Sequence, residues 1–404
     1  MNKSTFFSGQ PVLSQLIKLI PEHLLTQLAT HHRADRYYKT FRSRDHLIAM
    51  LYACFHNCTS LREVTTGLEA SYNKLGHLRV KHIPRRSTLS DANRRRPVAF
   101  FEQLYHELYR FYFKALPDSR RRKTKEERLF IMDSTTITLF SDCMKGAGTY
   151  RADGRKKGGV KAHVLLDAKT DLPGLINITE GARNDRIFMA EAPLKASDIV
   201  VFDKGYQHFA QWQRWTDRGV NWVTRLIGTE VYQVLEHRAV SSREQDKGVL
   251  GDQKIYLGRG TNKSTKRITV RLVTFYDAQL RKTFWFLSNN FRFKPSTIAA
   301  IYKDRWQIEL FFKRFKQTNP VKYFLGDNDN AIQIQLWCAF IKDLLVKVVK
   351  DQLKRKWSFT NIAAMIRHHL MNYIDLFSFL NNPNKLKQGL LAHHPITQLP
   401  LFPT

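Results

Sequence analysis

Apolar residues in this 404-residue chain change their spacing twice, and few architectures accommodate both changes. Up to about residue 125 they recur at helical intervals, as in Val12, Leu16, Leu19 and Ile20, and again in Leu47, Met50, Leu51 and Phe55. From RLFIMDSTTITLF onward the runs are β-branched or aliphatic. VKAHVLLDA and LPGLINITEG follow as a meander, with turn residues Lys169 to Pro173 between them, and ASDIVVFDKGY is a fourth strand after a helical segment around 184–196. HFAQWQRWTDRG then opens a helix. EVYQVLEHRAV, KIYLGRG, RITVRLVTFYD and KTFWFLSN read as hairpin-spaced strands, and from Pro295 the spacing is helical again. This order implies a helical region over 1–125 and an α/β core over 126–225 that resumes over 291–345. A β-rich insertion over 226–290 interrupts that core, and a helical region over 346–404 follows it.

Charge narrows the function. The chain holds 66 Lys and Arg against 35 Asp and Glu, a formal net charge of +31. Self-repulsion of that size opposes compaction, so a polyanionic partner is expected, with nucleic acid ahead of a membrane surface. Residues 1–125 alone carry 23 Lys and Arg against 9 acids. Within them Ser60 or Thr59 is placed to cap LREVTTGLEA, and Ser87 or Thr88 to cap TLSDANRRR, in a helix-turn-helix-like stretch. Arg94, Arg95 and Arg96 at the end of the second helix suit phosphate contact, and a solvated charged face is the alternative for any one of them. SRRRKTKEER reads as an exposed linker. No apolar run approaches the roughly 18–20 residues of a spanning helix. Ser8, Gly9, Gln10 and Pro11 interrupt the N-terminus before a signal-peptide core forms. Cys54, Cys58, Cys143 and Cys338 are too scattered for a disulfide framework, so reduced thiols in a cytoplasmic protein are expected.

The stretch YKDRWQIELFFKRFK, Tyr302 to Lys316, concentrates the chemistry. Laid on one helix, Tyr302, Arg305, Glu309 and Lys316 share a roughly 60° sector, with Ile308, Phe311, Phe312 and Phe315 on an adjoining apolar face. Lys313 falls near the polar sector and Arg314 does not. A lone carboxylate among cations suits divalent-metal or phosphate chemistry, and an intrahelical ion-pair face explains the same charges. Two strand-end acids bear on the choice. Asp133 follows LFIM and Asp203 follows IVVF, so each is fixed at a sheet edge, where single acids also serve as turn-formers. Together with Glu309 they form an all-oxygen set suited to two Mg²⁺ ions about 4 Å apart acting on a phosphodiester. GRKKGGVK and GAGTY lack the endings of nucleotide-binding loops, and His163 in VKAHVLL reads as structural.

The spacing Tyr302, Arg305, Glu309, Lys316, together with IMDSTTI, VVFDKGY and ARNDR, resembles the signature of the bacterial IS-four insertion-sequence transposases, a branch of the DDE recombinases. The acids are separated by 70 and 106 residues, and in this family a β-insertion lies in the second interval. FSGQPVLSQLI, SLREV and STLSDANRRR resemble the family's helical N-terminal region, so the resemblance spans essentially the whole chain.

The resemblance implies a ribonuclease-H-like α/β core. Asp133, Asp203 and Glu309 would bind two Mg²⁺ (or Mn²⁺) ions, and Tyr302, Arg305 and Lys316 the DNA-end phosphates. In some relatives a flipped base stacks on a tryptophan of the insertion. Trp285 holds that place here, with a buried sheet tryptophan as the alternative. The implied protein is a cytoplasmic, nucleoid-associated transposase cutting and joining double-stranded DNA at terminal inverted repeats, as a homodimer bridged by DNA. Its rivals are a DNA-binding regulator on a retired fold and a ribonuclease-H-like nuclease without strand transfer.

Overall fold

A computed structural model describes residues 6–114, 128–138, 159–180, 185–226, 228, 230–258, 267–319, 321 and 323–384. The expected linker up to residue 127, Cys143 and the first residues of ARNDR lie outside these. In chain order, α1 (Val12–Ile17), α2 (Glu22–His31), α3 (Ser43–His56), α4 (Leu61–Ala70), α5 (Tyr72–Leu75), α6 (Arg86–Arg95) and α7 (Val98–Tyr109) precede the first strands. Then come β1 (Leu129–Thr138), β2 (Gly159–Asp167), β3 (Leu172–Glu180), α8 (Asp185–Glu191), β4 (Ile199–Phe202), α9 (Phe209–Asp217) and β5 (Asn221–Arg225). β6 (Tyr232–His237), α10 (Ser242–Gln245), β7 (Val249–Leu257), β8 (Ile268–Asp277) and β9 (Lys282–Ser288) follow. α11 (Pro295–Asp304), α12 (Trp306–Thr318), α13 (Asp329–Gln352), α14 (Phe359–His369) and α15 (Leu376–Asn381) complete the order. The chain divides into two compact units, Met1–Ala115 with Phe315–Thr404, and Leu116–Arg314.

The first unit is helical. α13 and α3 are buried on nearly all sides, and α13 packs against both α3 and α7, as helices apolar all round must. Lys342 and Asp343 are carried into this core by α13. Lys342 Nζ donates to the carbonyls of Cys54 and Thr318, and Asp343 accepts from Asn319 Nδ2 at 3.1 Å. Cys54, Cys58 and Cys338 are buried free thiols. Ser60 caps α4: its Oγ accepts from the Glu63 N–H at 3.2 Å, while the Glu63 carboxylate accepts from the Thr59 N–H at 2.7 Å. Neither Ser87 nor Thr88 caps α6. The helix begins at Arg86, two residues before the start that a Ser87 cap would set, because Arg85 after Pro84 is already the extended residue at its entry.

A second correction concerns Arg96. It is fully buried, so it is not a phosphate contact like its exposed neighbours Arg94 and Arg95 can be. Its Nε donates to the Ala34 carbonyl at 3.0 Å, Nη2 to Phe41 at 2.8 Å and Nη1 to Arg42 at 3.3 Å, and the guanidinium lies 4.2 Å from the centroid of the Tyr38 ring.

The second unit is built on one nine-stranded sheet in the order β3-β2-β1-β4-β5-β9-β8-β7-β6. β1, β2 and β3 form the expected antiparallel meander, while β4 is parallel to β1 and β5 is parallel to β4. The strand β5 went unread in the sequence. NWVTR is short and sits between a helix and the first insertion strand, without alternation to mark it. It pairs antiparallel with β9, so β6–β9 extend the same sheet. Trp212 and Trp215 of α9 pack on Phe202 of β4 and Trp222 of β5, with Trp212 and Trp222 rings 4.9 Å apart.

The β6–β9 segment is tied to the entry of α11. Buried Arg271 donates to both Asp252 carboxylate oxygens (2.8 and 2.7 Å) and to the carbonyls of Asn290 and Phe293. The Glu244 carboxylate accepts from the Ser296 N–H at 2.8 Å and its hydroxyl at 3.0 Å, in the first turn of α11.

One buried group sets a pH limit. His46 is fully buried, 2.7 Å from Asn93 Oδ1 through Nε2, with Nδ1 unpartnered among the described residues. Burial, and then the nearby Arg96 charge, push its pKa down to about 3. The unfolded chain takes up that proton near pH 6.5 and the folded chain does not. Stability from this group is therefore complete above pH 6.5 and is lost as pH falls toward 3, by roughly 1.4 kcal/mol per pH unit. Thermal unfolding between pH 7 and 4 should show a shallower decline for His46→Phe than for wild type. Identical declines would remove His46 as the cause.

Candidate active site

The parallel pairing of β1 with β4 places two acids. Leu129 pairs with Ile199 and Met132 with Phe202, so Asp133 and Asp203 each follow the last pair at the same end of adjacent strands. That end, the carboxyl edge of parallel strands, is where open α/β sheets bind ligands. The third acid arrives on a helix. YKDRWQIELFFKRFK is not one helix, as its periodicity predicts, but α11 and α12 meeting at Arg305. There the Arg305 N–H bonds to Tyr302 O (3.1 Å) and the Ile308 N–H to Arg305 O (3.2 Å), tight i to i−3 links that replace one α-helical turn. The apolar face is as expected: Ile308, Phe311, Phe312 and Phe315 are all buried.

Arg305 is the hub of the cluster. Its Nη2 donates to Glu309 Oε1 at 2.6 Å, and its Nη1 stands 3.7 Å from Asp133 Oδ2. Its Nε is buried and has no partner among the described residues. The Tyr302 hydroxyl donates to Asp203 Oδ1 at 3.4 Å, and burial raises the pKa of that phenol. Burial also pushes the Asp133 carboxyl up to about 6. The Ser134 N–H and the Arg305 guanidinium pull it down, and the charges of Asp203 and Glu309 raise it further. Five of the expected site residues thus meet: Asp133, Asp203, Tyr302, Arg305 and Glu309. Lys316 lies about 10 Å further along α12, beyond the boundary of the unit.

Among the described residues, no three His, Cys, Asp or Glu side chains stand close enough to close on a metal ion. The donor chemistry nevertheless fits a hard divalent cation, since all three acids offer carboxylate oxygens. Arg305 stands between two of them as a stand-in cation, contacting Asp133 and Glu309 together.

Trp285 on β9 is 45% exposed, which sets aside the buried sheet tryptophan as its role. His163, opposite Ser134 on β2, is buried with Nε2 3.2 Å from Thr179 Oγ1, as a structural histidine should be. Two residues were missed. Arg225 at the end of β5 places a charge near the Tyr302 hydroxyl, and only recognition of β5 would have revealed it. Arg314 lies off the polar sector of α12, yet its guanidinium donates to the carboxylate and carbonyl of Asp171 in the β2–β3 turn. Asp171 has φ of 55°, a left-handed conformation that the sequence does not announce.

Residues 124–341 match a family model described as Transposase DDE domain, and residues 8–81 match one described as Domain of unknown function (DUF4372). A Sinorhizobium fredii protein named as a transposase, y4zB, is 32% identical over 66% of this chain and 71% of its own. A Geobacillus stearothermophilus protein named as a transposase for insertion sequence element IS5377 is 29% identical, over 68% of each chain. One from Synechocystis, named for element IS4SA, is 27% identical over 65% of this chain and 71% of its own. Among solved structures, a cryo-EM structure of piggyBac transposase synaptic complex with hairpin DNA matches 95% of this chain and 80% of that one. Its TM-score is 0.43 and its identity 11%.

The Arg314–Asp171 link gives α12 a fixed seat on the meander. Charge-assisted hydrogen bonds of this kind are worth about 1.5–3 kcal/mol. Arg314→Met, which keeps the stem's packing, should lose about 2 kcal/mol in urea unfolding, and a loss within error of zero would show that the link does not hold α12.

Proposed function

This chain belongs to the DDE transposases, and from that premise we propose a ribonuclease-H-like catalytic core in which Asp133, Asp203 and Glu309 hold two Mg²⁺ (or Mn²⁺) ions. As a transposase of the insertion-sequence type, it is an enzyme that cleaves DNA and transfers the cut strand. The ribonuclease-H-like reading is supported by the strand order β3-β2-β1-β4-β5, with an antiparallel meander followed by two parallel strands. The observation that carries the site assignment is the β1–β4 register: it brings Asp133 and Asp203 out side by side, where the charge of Glu309 also acts on Asp133.

Divalent ions bound by these carboxylates would activate the attacking oxygen and stabilise the leaving one in each in-line phosphoryl transfer. The chain's own groups do the rest. Tyr302 orients the Asp203 carboxylate through its hydroxyl. Arg305 offers its guanidinium to the DNA-end phosphate, and Arg225 adds a second cation beside Tyr302. An arginine fork suits a phosphate better than a point charge does. Lys316 is assigned to the same DNA end further along α12. The exposed Trp285 offers an aromatic face on which an unstacked base can lie.

The wider organisation follows from the family and the charge. DNA binds this protein, and we assign recognition of the terminal inverted repeats to the helical region 1–125, with Arg94 and Arg95 on its exposed surface. Catalysis belongs to 126–225 and 291–345, interrupted by the β-rich 226–290, and the helical 346–404 supports pairing into a DNA-bridged homodimer. No helix among the described residues is long and apolar enough to cross a membrane, and the site of action assigned here is cytoplasmic, nucleoid DNA.

Asp133→Asn, Asp203→Asn and Glu309→Gln should each reduce Mg²⁺-dependent cleavage of terminal-repeat DNA at least about a thousandfold, leaving DNA affinity nearly intact. A single gel with labelled end DNA and a target plasmid reads both cleavage and joined product. Undiminished cleavage by Glu309→Gln would overturn the site assignment, and cleavage without joined product would favour a plain nuclease.

A further inference from the structure

We propose that the loop joining α2 to α3 is a clamp for the phosphate backbone of duplex DNA, held in shape from beneath by buried Arg96. The inference rests on the transposase reading for its ligand. It assigns a surface and a working part within residues 8–81, a stretch whose family description names no function.

The loop spends backbone freedom to present charge. Arg33 (φ 50°) and Tyr37 (φ 70°) both adopt left-handed conformations that non-glycine residues avoid, and they do so within five residues. Between α2 and α3 the side chains of Arg33, Arg36, Lys39 and Arg42 are exposed, and Tyr37 is 87% exposed. Arg36 lies over the Tyr37 ring at 4.8 Å. Arg33, Arg36 and Arg42 line one cleft of about 710 Å³, and none of them makes an ion pair among the described residues.

The acids bordering the cleft are already committed. The Asp35 carboxylate accepts from the Ser43 N–H at 2.5 Å and the Ser43 hydroxyl at 3.1 Å, capping the start of α3, and lies 3.9 Å from Arg96. Glu22 pairs with Arg44 at 3.1 Å. The surplus is therefore positive and points outward. A solvated surface patch needs no such scaffold, but this loop has one. Each nitrogen of the Arg96 guanidinium donates to one carbonyl, of Ala34, Phe41 or Arg42, while the group lies against Tyr38, so a cation that never meets solvent fixes the path of those that do. Arg96 is thus a positioning residue. Duplex DNA is favoured over an acidic lipid surface because the loop has no exposed apolar side chain beyond the Tyr37 ring to enter a bilayer.

The test uses the full chain and a fluorescein-labelled random-sequence 50-base-pair duplex, with anisotropy read across a NaCl series. Each phosphate contact contributes about −0.9 to the slope of log K against log salt. A triple variant, Arg33→Gln, Arg36→Gln and Arg42→Gln, should shallow that slope by about 2 to 3 and weaken binding at least about tenfold at 100 mM salt. Arg96→Lys keeps the charge but cannot reach three carbonyls. It should weaken duplex binding with unchanged helical circular dichroism, and DNA should protect the amides of residues 33–42 from hydrogen exchange in wild type far better than in this variant. If Arg96→Lys loses its helical signal, the triple variant and the wild-type exchange footprint decide. A triple variant with the wild-type slope, or no protection of the loop, overturns the proposal and leaves the transposase reading standing. A wild-type chain with no duplex affinity overturns both. Retention of wild type by anionic vesicles that the triple variant loses, with duplex binding unchanged, would reassign the loop to lipid.

Discussion

Four backbone pairings between β1 and β4 carry the arrangement on which the proposed chemistry depends. Leu129 to Met132 run parallel to Ile199 to Phe202, and the two acids are the next residues on each strand. A slip of one residue on either strand would send its acid to the opposite face of the sheet. Two features fix the register. Ile131, Met132, Val200, Val201 and Phe202 are essentially inaccessible to solvent, so their faces cannot be exchanged. At the other end Arg128 and Asp198, each immediately before its strand, form a two-pronged ion pair at 2.9 and 2.7 Å, and the Ile199 N–H bonds to the Arg128 carbonyl. The ion pair marks where the pairing starts and the aspartates mark where it stops.

The strand-end acids were legible because the pattern that reveals them is local: an apolar run, then a carboxylate. The apolar face of α12 was legible for the same reason, since a period of 3.6 is a property of consecutive residues. What escaped reading is what depends on distant neighbours. The junction at Arg305 has neither glycine nor proline, and its side chain answers Asp133 on a strand more than 170 residues earlier. Strand β5 has five residues and draws its identity from lying between β4 and β9. Arg314 reads as an off-face cation until the β2–β3 turn is brought beneath it. Ser60 and Ser87 show the limit within a single motif. Both precede helical runs, but only Ser60 has a glutamate three residues on to complete the cap.

The net charge of +31 also proves to be two populations. Arg96 and Arg271 are inside, each guanidinium committed to carbonyls or to a carboxylate, and Lys342 is likewise buried against carbonyls. Burying such groups is costly unless every donor is met, so each fixes a loop or helix in one geometry. Arg96 shapes 34–42, and Arg271 holds 290–293 at the approach to α11. Cations of the other population, such as Arg33, Arg36, Arg42 and Arg94, meet solvent. Composition counts the two together. In RRR at 94–96 they sit side by side in the chain, which is why three adjacent arginines looked alike in the sequence.

Arg305 belongs to neither population, and its position bears on how the proposed metal site is kept. Three carboxylates near one another repel, and at short range in a partly buried site that repulsion is poorly screened. A guanidinium between Asp133 and Glu309 offsets it while leaving Nε unspent. In the proposed site Asp133, Asp203 and Glu309 would hold divalent ions, whose charge would offset the same repulsion. The Arg305 guanidinium beside those carboxylates is the group proposed to donate to the DNA-end phosphate. The proposed site thus asks one side chain both to steady the carboxylates and to meet the DNA-end phosphate. Arginine suits both tasks because its fork bridges two carboxylates as readily as two phosphate oxygens.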